Sequence, residues 1–494
     1  MPTPSLNQAQ ANAVAELMRI APVAGRLGQL FAEAGHPLYL VGGSVRDALL
    51  GRLGHDLDFT TPARPDDVEA LLRRFSRSVW TIGKEFGTIG CQVVEPGAGA
   101  GSARQGDVTW VVEVTTFRSD AYAADSRKPH VRFGDTLDGD LLRRDFTVNA
   151  MAVSVPENRF VDPYGGLADL ARGVLRTPAA PETSFSDDPL RMMRAARFAA
   201  QLEFTPAPEV TEAMTAMASR IAIISAERVR DELSKLLLTE RPRPGLDLLV
   251  RTGLADQVLP ELPALRLERD EHHRHKDVYE HSLTVLEQAI ELESRLATRP
   301  DLVNRLAALL HDVGKPATRR FEGGGKVSFH HHDVVGAKLV RTRLTALRFS
   351  SEEVKAVTDL VGLHLRFHGY GEAGWTDAAV RRYVRDAGAQ LERLHILTRA
   401  DCTTRNRVKA DRLSFAYDDL EARIAVLAEE EELASLRPDL DGRQIMDLLS
   451  LPPGPLVGKA YSYLLELRIE EGPLGPERAE QALRAWWAEQ QAQG

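Results

Sequence analysis

Cysteine is scarce in this sequence: Cys91 and Cys402 are the two examples among 494 residues. Two thiols exclude a disulfide framework and a zinc site built from cysteines, and they fit a reducing compartment. Long apolar runs are also missing, so we expect no transmembrane helix. The first residues lack a basic segment followed by an apolar core, so we expect no signal peptide and a cytoplasmic protein.

Positive charge is in the minority, because 62 Lys and Arg oppose 71 Asp and Glu for a formal net charge of -9. This balance excludes a globally basic nucleic-acid binder, but it does not exclude a local basic surface. Hydrophobic residues make up 43% of the chain and charged residues 27%, which is typical of a soluble globular protein. The length predicts roughly two to four domains.

Strand-like segments are confined to the first part of the chain. Residues 1–35 have helical spacing of apolar residues, and five predicted strands follow: PLYLV, LDFTT, GTIGCQVV, VTWVVEVTTF and NAMAVSV. Residues 119–140 read as a long charged connection, and from residue 187 the pattern is almost entirely helical. The sequence therefore predicts an α+β protein, with a mixed sheet and helices in an N-terminal head followed by an all-α remainder.

A strand that ends in Gly42-Gly43 is predicted next to a helix that opens at Ser44, and serine is a favourable N-cap residue. Glycines let a ligand approach the backbone, and a helix N-terminus directs N–H groups toward an anion. The pattern indicates a phosphate-binding turn; the alternative is an ordinary connection between a strand and a helix.

Three carboxylates predict a metal site. Asp56 and Asp58 are two residues apart in a predicted strand, so they share a face and repel each other unless a cation is bound. Glu113 is a third carboxylate within a strand-like segment. Such a set suits Mg²⁺ together with substrate phosphates and fits two-metal phosphoryl transfer; the alternative is a solvated strand edge.

Arginine and aspartate occur together in two further places. Arg143, Arg144 and Asp145 combine cations that can clamp phosphate with a carboxylate that can accept from a ribose hydroxyl. The alternative is a buried ion pair that joins a loop to the sheet. Asp188 and Arg191 are three residues apart at the start of a predicted helix, so we expect them to share a face.

An acceptor beside a donor, as in Asp188 and Arg191, matches the amino group and ring nitrogen of cytosine and of adenine. Uracil and guanine present a carbonyl instead, and a buried mismatch costs roughly 1–3 kcal/mol per unpaired group. The pair could therefore select CTP and ATP without a template; the alternative is a surface ion pair. Four arginines are candidates for triphosphate or RNA contacts, and the alternative for each is a solvated helical side chain: Arg194 and Arg197 on the same predicted helix, and Arg228 and Arg230 on a later one.

A second cluster of potential metal ligands lies in the helical part of the chain. Imidazoles and carboxylates suit a divalent transition metal such as Mn, Ni, Fe or Zn, and they can share two ions. The candidate ligands are His281, His311, Asp312, His332, His364 and Asp401. His330 and His331 leave the choice within that histidine triplet open.

The segments VGGSVRDALLG, HDLDFTT, VEVTTFR, RRDFTVNAMA and DDPLRMMRAARFA carry a resemblance over about 200 residues. The chain resembles the tRNA nucleotidyltransferase/poly(A) polymerase family, and more narrowly the bacterial class II CCA-adding enzymes. The resemblance implies that Asp56 and Asp58 bind the catalytic Mg²⁺, with Glu113 as the third acidic residue. It also implies that Gly42 and Gly43 contact the triphosphate, and it assigns Arg46 to that nucleotide-binding turn. Asp187 stands where the family's EDxxR motif has glutamate.

By the same resemblance, residues 1–180 form a nucleotidyltransferase head and residues 181–255 a neck that binds the base and RNA. Residues 256–410 resemble an HD metal-binding domain, with the ligands named above, and residues 411–494 a tail that binds tRNA. The segment 118–140 resembles a loop that helps CCA-adding members switch from C to A addition, which favours complete CCA addition. The expected partners are tRNA, CTP and ATP; the sequence does not indicate a protein partner.

Other functions fit parts of the pattern. A poly(A) polymerase, or an enzyme that adds only A or only CC, would need the same carboxylates. A metal-dependent HD phosphohydrolase whose head binds RNA is an alternative of another class, which the three carboxylates disfavour. The HD site itself is expected to be an accessory phosphohydrolase centre or a vestigial structural site.

Overall fold

The computed structural model describes residues 14, 22–52, 54–95, 107–118, 133–134, 136–266, 277–322, 326–370, 375–403, 407–431 and 437–493. The chain divides into two compact units, residues 1–258 and 259–494. The division of the chain into four domains stays a prediction.

A seven-stranded mixed sheet forms the centre of the first unit, in the order β3-β4-β5-β2-β1-β6-β7. Its strands are β1 (Leu38–Val41), β2 (Asp56–Thr61), β3 (Ser78–Trp80), β4 (Thr88–Glu95), β5 (Val108–Thr116), β6 (Ala152–Val155) and β7 (Phe160–Val161). Strands β2 and β5 are parallel neighbours, and the other pairs are antiparallel. The five predicted strands are confirmed, whereas β3 and β7 are too short to show an alternating pattern.

Helices surround the sheet and continue beyond it. The α-helices of the first unit are α1 (Pro22–Glu33), α2 (Gly43–Leu49), α3 (Pro65–Phe75), α4 (Leu137–Leu142), α5 (Gly166–Arg172), α6 (Pro181–Asp187), α7 (Leu190–Gln201), α8 (Pro208–Met217), α9 (Ala226–Leu237), α10 (Arg243–Arg251) and α11 (Leu254–Val258). Helix α7 packs against α9 and α10. Of the predicted helical region 1–35, the residues other than 14 and 22–35 lie outside the described residues.

One local expectation for the first unit was wrong. The segment predicted as a connection contains α4, which begins at Leu137 because the Thr136 hydroxyl accepts the N–H of Gly139 and caps the helix. Residues 119–132 and 135 of that segment lie outside the described residues. The region after residue 187 also contains a short strand, β9 (Thr205–Pro206), which pairs with β8 (Val174–Leu175).

Among its described residues, the second unit is helical apart from one hairpin, β10 (Arg320–Glu322) and β11 (Lys326–Ser328). Its α-helices are α12 (Val278–Glu291), α13 (Leu302–Leu310), α14 (Lys315–Thr318), α15 (His332–Ala346), α16 (Ser351–Leu363), α17 (Asp377–Ala387), α18 (Leu391–Ala400), α19 (Arg407–Glu431), α20 (Gly442–Leu449), α21 (Pro455–Glu471) and α22 (Pro476–Gln493). Helices α12, α13, α16 and α18 pack on one another through buried aliphatic side chains. This packing brings the ends of several helices together.

Candidate functional sites

The turn between β1 and α2 has a backbone that requires glycine. Gly42 has φ 70 and ψ -136, and a Cβ there would lie 2.9 Å from Nη1 of Arg144. The predicted cap at Ser44 was wrong, because α2 begins one residue earlier, at Gly43. The Ser44 hydroxyl instead accepts the Asp58 N–H at 3.0 Å and donates to the Asp56 carbonyl at 3.2 Å. Ser44 thus ties the turn to the strand that bears the carboxylates.

The three predicted carboxylates lie at one place on the sheet. Strand alternation puts Asp56 and Asp58 on the same exposed face of β2. The parallel register of β2 and β5 places Asp58 directly opposite Glu113. Desolvation raises the pKa of Asp58, with Asp56 adding to the increase against the effect of Arg144. Desolvation and both aspartates also raise the pKa of Glu113, so the site favours a bound cation.

Arg46 is buried and braces the turn. Its guanidinium donates to both carboxylate oxygens of Asp47, at 2.9 and 2.8 Å, and to Oδ1 of Asn149 at 2.6 Å. The same guanidinium lies 5.2 Å from the ring centroid of Phe198 on α7. These contacts connect the glycine turn to the helix that follows the head.

The Arg143-Arg144-Asp145 segment is organised by a buried carboxylate that the sequence prediction missed. Asp140 accepts from Arg143 and Arg144 at 3.3 and 3.2 Å, and it accepts the Arg118 N–H at 3.3 Å. Asp145 is buried and accepts from Arg194 at 2.7 Å and from Asn149 at 3.0 Å. Burial alone would raise the pKa of Asp145, but Arg194 and Asn149 hold that pKa well below its ordinary value.

Asp188 and Arg191 do not share one helix, which corrects the expectation. Helix α6 ends at Asp187 and α7 begins at Leu190. Pro189 disfavours helical backbone at the residue before it, and Asp188 is extended, with φ -144 and ψ 100. Both side chains nevertheless line one cleft of about 310 Å³.

That cleft gathers most of the predicted nucleotide-binding side chains. It is lined by Val41, Asp58, Phe59, Thr115, Arg118, Arg143, Arg144, Asp145, Asp188, Leu190, Arg191, Arg194 and Arg228. Arg118 was not predicted; its Nη2 donates to the Thr88 hydroxyl at 2.9 Å. Six arginines around a cleft that contains Asp58 form the local basic surface that the overall charge does not reveal.

Three predicted arginines are absent from this lining: Arg46, described above, Arg197 and Arg230. Arg197 donates to the buried Glu232 at 2.7 Å, and its guanidinium lies 4.1 Å from the Phe198 ring centroid. Arg230 pairs with its neighbour Asp231 at 2.7 Å. Glu232 was missed by the sequence prediction, although it lies four residues after Arg228 on α9.

Two clusters of potential metal ligands lie side by side in the second unit. His281, His311 and Asp401 form one cluster, and within it the ligand atoms lie within 4.8 Å of one another. The second cluster meets the same limit and consists of Asp312, His332 and His364. All six predicted ligands are therefore brought together.

Helix ends supply most of these residues. His311, His364 and Asp401 directly follow α13, α16 and α18, and His332 begins α15. Within the histidine triplet, His332 joins the cluster, whereas the His330 side chain is 75% exposed.

The histidine rings are oriented for metal binding. Nδ1 of His311, His332 and His364 lies 2.9, 2.8 and 2.7 Å from backbone carbonyls, so these nitrogens carry the proton. In the neutral rings the Nε2 atoms are then acceptors, and those of His332 and His364 lie 3.2 Å apart. Two facing acceptors repel each other unless a cation lies near them, so this donor set fits a metal ion.

The charges of this centre also favour a cation. Burial alone would raise the pKa of Asp312, but His311, His332 and Lys315 hold it well below its ordinary value. Lys315 donates to Oδ2 of Asp312 at 2.6 Å. Burial alone would lower the pKa of His311, but Asp312 and Asp401 raise it to about 10. Positive charge at the centre is thus stabilised, whether a proton or a metal ion supplies it.

Comparison with known families gives three consecutive matches. The profile of the poly A polymerase head domain matches residues 38–176. The profile described as "Probable RNA and SrmB- binding site of polymerase A" matches residues 203–265, and that of the HD domain matches residues 278–406. An A-adding tRNA nucleotidyltransferase of Deinococcus radiodurans is 35% identical over 460 residues, which cover 91% of this chain and 95% of that protein.

The chain belongs to the tRNA nucleotidyltransferase/poly(A) polymerase family. Within this family, a CCA-adding enzyme of Levilactobacillus brevis is 43% identical over 227 residues, which span 46% of this chain and 52% of that enzyme. The chain is thus aligned with about half the length of this CCA-adding relative.

Solved structures of this family share the fold. The CCA-adding enzyme of Bacillus stearothermophilus in complex with CTP matches 99% of this chain and 100% of its own, with a TM-score of 0.60 at 24% identity. The Thermotoga maritima CCA-adding enzyme complexed with tRNA matches with a TM-score of 0.58 at 17% identity. The resemblance and the fold class expected from the sequence are both confirmed.

The nucleotidyltransferase head and the HD domain each imply divalent metal binding. Carboxylates of the head and the mixed His and Asp set of the second unit are the donors available for it. Among the described helices, none is long and apolar enough to cross a membrane.

Proposed function

We propose that this chain is a template-independent tRNA nucleotidyltransferase that completes the CCA end of tRNA from CTP and ATP. The observation that carries the proposal is the cleft in which Asp58, opposite Glu113, faces the arginines of the head and the Asp188–Arg191 pair. The tRNA 3′-hydroxyl attacks the α-phosphate of the bound nucleotide, and pyrophosphate leaves. A tRNA substrate and the likeness to bacterial enzymes favour a cytoplasmic location.

Each part of the cleft has a role in this reaction. Asp56 and Asp58 would hold Mg²⁺, with Glu113 as the third carboxylate; when bound, Mg²⁺ lowers the pKa of the attacking hydroxyl and neutralises the triphosphate. The Gly42-Gly43 turn, with Arg144 beside it, orients the phosphates together with Arg143 of the cleft lining. Asp188 accepts from the amino group of cytosine or adenine, and Arg191 donates to the ring nitrogen.

Addition of A alone is a second candidate. The relative aligned over 91% of this chain is an A-adding enzyme, whereas the CCA-adding relative described above aligns over 46%. The same cleft residues would serve either reaction, because the Asp188–Arg191 pair matches both cytosine and adenine. Segment 118–140, whose resemblance to a switching loop favours complete CCA addition, lies mostly outside the described residues.

The second unit supports an accessory activity. His281, His311 and Asp401 would hold one transition metal ion, and Asp312, His332 and His364 a second. When bound, such ions activate water toward a phosphate ester. Lys315, which contacts Asp312, is placed to hold a substrate phosphate beside the centre. Mn²⁺, Ni²⁺, Fe²⁺ and Zn²⁺ all suit these ligands.

One assay tests the proposal. Purified protein is given tRNA transcripts that end before CCA, after C and after CC, with each labelled nucleoside triphosphate singly and Mg²⁺. Two additions of C followed by one of A are expected, and addition of A to the CC transcript alone would select the second candidate. Long A tails on any RNA would contradict both. Hydrolysis of phosphate esters with Mn²⁺ or Ni²⁺ but no incorporation would identify a phosphohydrolase instead.

A further inference from the structure

His281 is held differently from the other three histidines of the metal centre in the second unit. His311, His332 and His364 each direct Nδ1 to the backbone carbonyl three residues earlier in the chain. Nδ1 of His281 instead lies 3.1 Å from the hydroxyl oxygen of Thr403. A side chain that is distant in the sequence therefore does for His281 what the local backbone does for the other rings.

Thr403 belongs to the same short segment as Asp401, a second member of the His281 cluster. Asp401 directly follows α18, and the Thr403 N–H donates to the Asp401 carbonyl at 2.8 Å. Oδ1 of Asp401 lies 2.9 Å from Nε2 of His281. One segment thus contacts both nitrogens of the His281 ring, with the Thr403 hydroxyl at Nδ1 and the Asp401 carboxylate at Nε2.

We propose that Thr403 is a positioning residue of the metal centre, which fixes the orientation and the tautomer of His281. The inference rests on the accessory metal centre proposed above and deepens it. The oxygen of a threonine hydroxyl accepts hydrogen bonds, so Nδ1 of His281 can donate to it as an N–H. Nε2 is then the acceptor of the neutral ring, and it faces the carboxylate with which it would share an ion.

His281 needs such a partner more than the buried histidines do. Its side chain is 12% exposed, whereas that of His311 is fully buried, so packing alone restrains the His281 ring less. Without the Thr403 hydroxyl, the ring loses the contact that distinguishes its two nitrogens, and rotation or a change of tautomer would withdraw the Nε2 acceptor. The effect should fall on the ion of the His281 cluster, because the other cluster has its own three ligands.

The test uses the untagged full chain, stripped of metal by a chelator that is then removed, and Ni²⁺ as the probe. Excess Mg²⁺ is present to occupy the carboxylates of the head, whereas imidazole ligands prefer Ni²⁺. Calorimetric titration measures Ni²⁺ binding, and the part that is lost in His281→Ala defines the binding that depends on His281.

The variants remove or keep one hydroxyl. Thr403→Val keeps the shape of threonine without the hydroxyl, and Thr403→Ser keeps the hydroxyl. The control is Thr284→Val, on the same helix as His281, where the hydroxyl donates to the Glu280 carbonyl at 2.8 Å. Thermal unfolding without Ni²⁺ checks that each variant is folded, and Thr403→Ala replaces the valine variant if that protein does not fold.

For Thr403→Val we expect the Ni²⁺ affinity that depends on His281 to fall about 10- to 100-fold. Thr403→Ser should restore most of this affinity, and Thr284→Val should keep it. In a His281→Ala background, Thr403→Val should cause no further loss, because Thr403 acts through His281.

Wild-type affinity in a folded Thr403→Val protein, or a further loss in the His281→Ala background, would overturn the inference. If wild type binds no more Ni²⁺ than His281→Ala, the proposed metal centre fails and the inference fails with it. That result is seen without any Thr403 variant, so the two failures are distinguishable.

Discussion

Substitution of Gly42 by alanine tests how the head turn is built. The backbone there has φ 70 and ψ -136, a region that side chains avoid, so alanine costs about 1–3 kcal/mol of stability. The new Cβ would also lie 2.9 Å from Nη1 of Arg144, whose Nη2 contacts Asp140 at 3.2 Å. Because Arg144 lines the cleft and its guanidinium must then shift, we expect nucleotide addition to fall by at least about tenfold in addition to the loss of stability.

Gly51→Ala is the matched control. Gly51 also has φ 70, but a Cβ there would meet nothing within 4 Å. We expect it to lose about 1–2 kcal/mol from backbone strain and to keep its activity. Hydrogen exchange in β1 and β2 reports the stability of the first unit, and incorporation of labelled nucleotide reports activity. Wild-type stability and activity in Gly42→Ala would refute the account of the turn.

Two further predictions concern the buried carboxylate and the metal centre. Asp145→Asn should lower stability by roughly 2 kcal/mol at pH 7, less than for a fully buried pair because Arg194 is 34% exposed. Since the pKa of Asp145 is lower in the folded than in the unfolded state, this stabilisation is present above the unfolded pKa of about 3.9 and is lost as pH falls below it. The difference in unfolding free energy between wild type and Asp145→Asn should therefore be smaller near pH 3 than at pH 7. His364→Ala should lower the amount of bound Mn²⁺ or Ni²⁺ and abolish the rise in Tm that the metal causes. As the control, His330→Ala changes an exposed side chain and should keep both the bound metal and the rise in Tm. Elemental analysis measures the metal and thermal unfolding the Tm; no difference between the two variants would contradict the ligand assignment.

The sequence predicted the parts of the head site that depend on local periodicity. Alternation along a strand is enough to place Asp56 and Asp58 on one face. The pairing of β2 with β5 joins segments that are far apart in the chain, so the position of Asp58 opposite Glu113 could be read only from the folded sheet. Ser44 was misassigned because a serine before a helix is usually its cap, whereas here its hydroxyl bonds to β2.

The sequence did not predict the buried residues that position the arginines of the site. Asp140 and Glu232 are buried acceptors for arginines, and their charge alone does not distinguish them from surface carboxylates. Their spacing from the arginines is a usable signal: Asp140 lies three and four residues before Arg143 and Arg144.

In the candidate metal centre, too, the sequence predicts the residues but not how the fold groups them. The sequence named all six candidate ligands, but their separation into two sets of three follows from the packing of helix ends, which spacing does not reveal. Pro189 is a related case, because its effect on Asp188 was readable from the sequence and was overlooked in favour of the helical spacing.

The central claim is that the carboxylates of β2 carry the transfer of a nucleotide to tRNA. Its most direct test is the incorporation of labelled nucleotide into a tRNA transcript by Asp58→Asn beside wild type, with Mg²⁺ present and pyrophosphate release measured in the same reaction. The account predicts incorporation and pyrophosphate from wild type, and neither from the variant, while the unfolding transition of the variant stays intact. Full incorporation by a folded Asp58→Asn protein would contradict it.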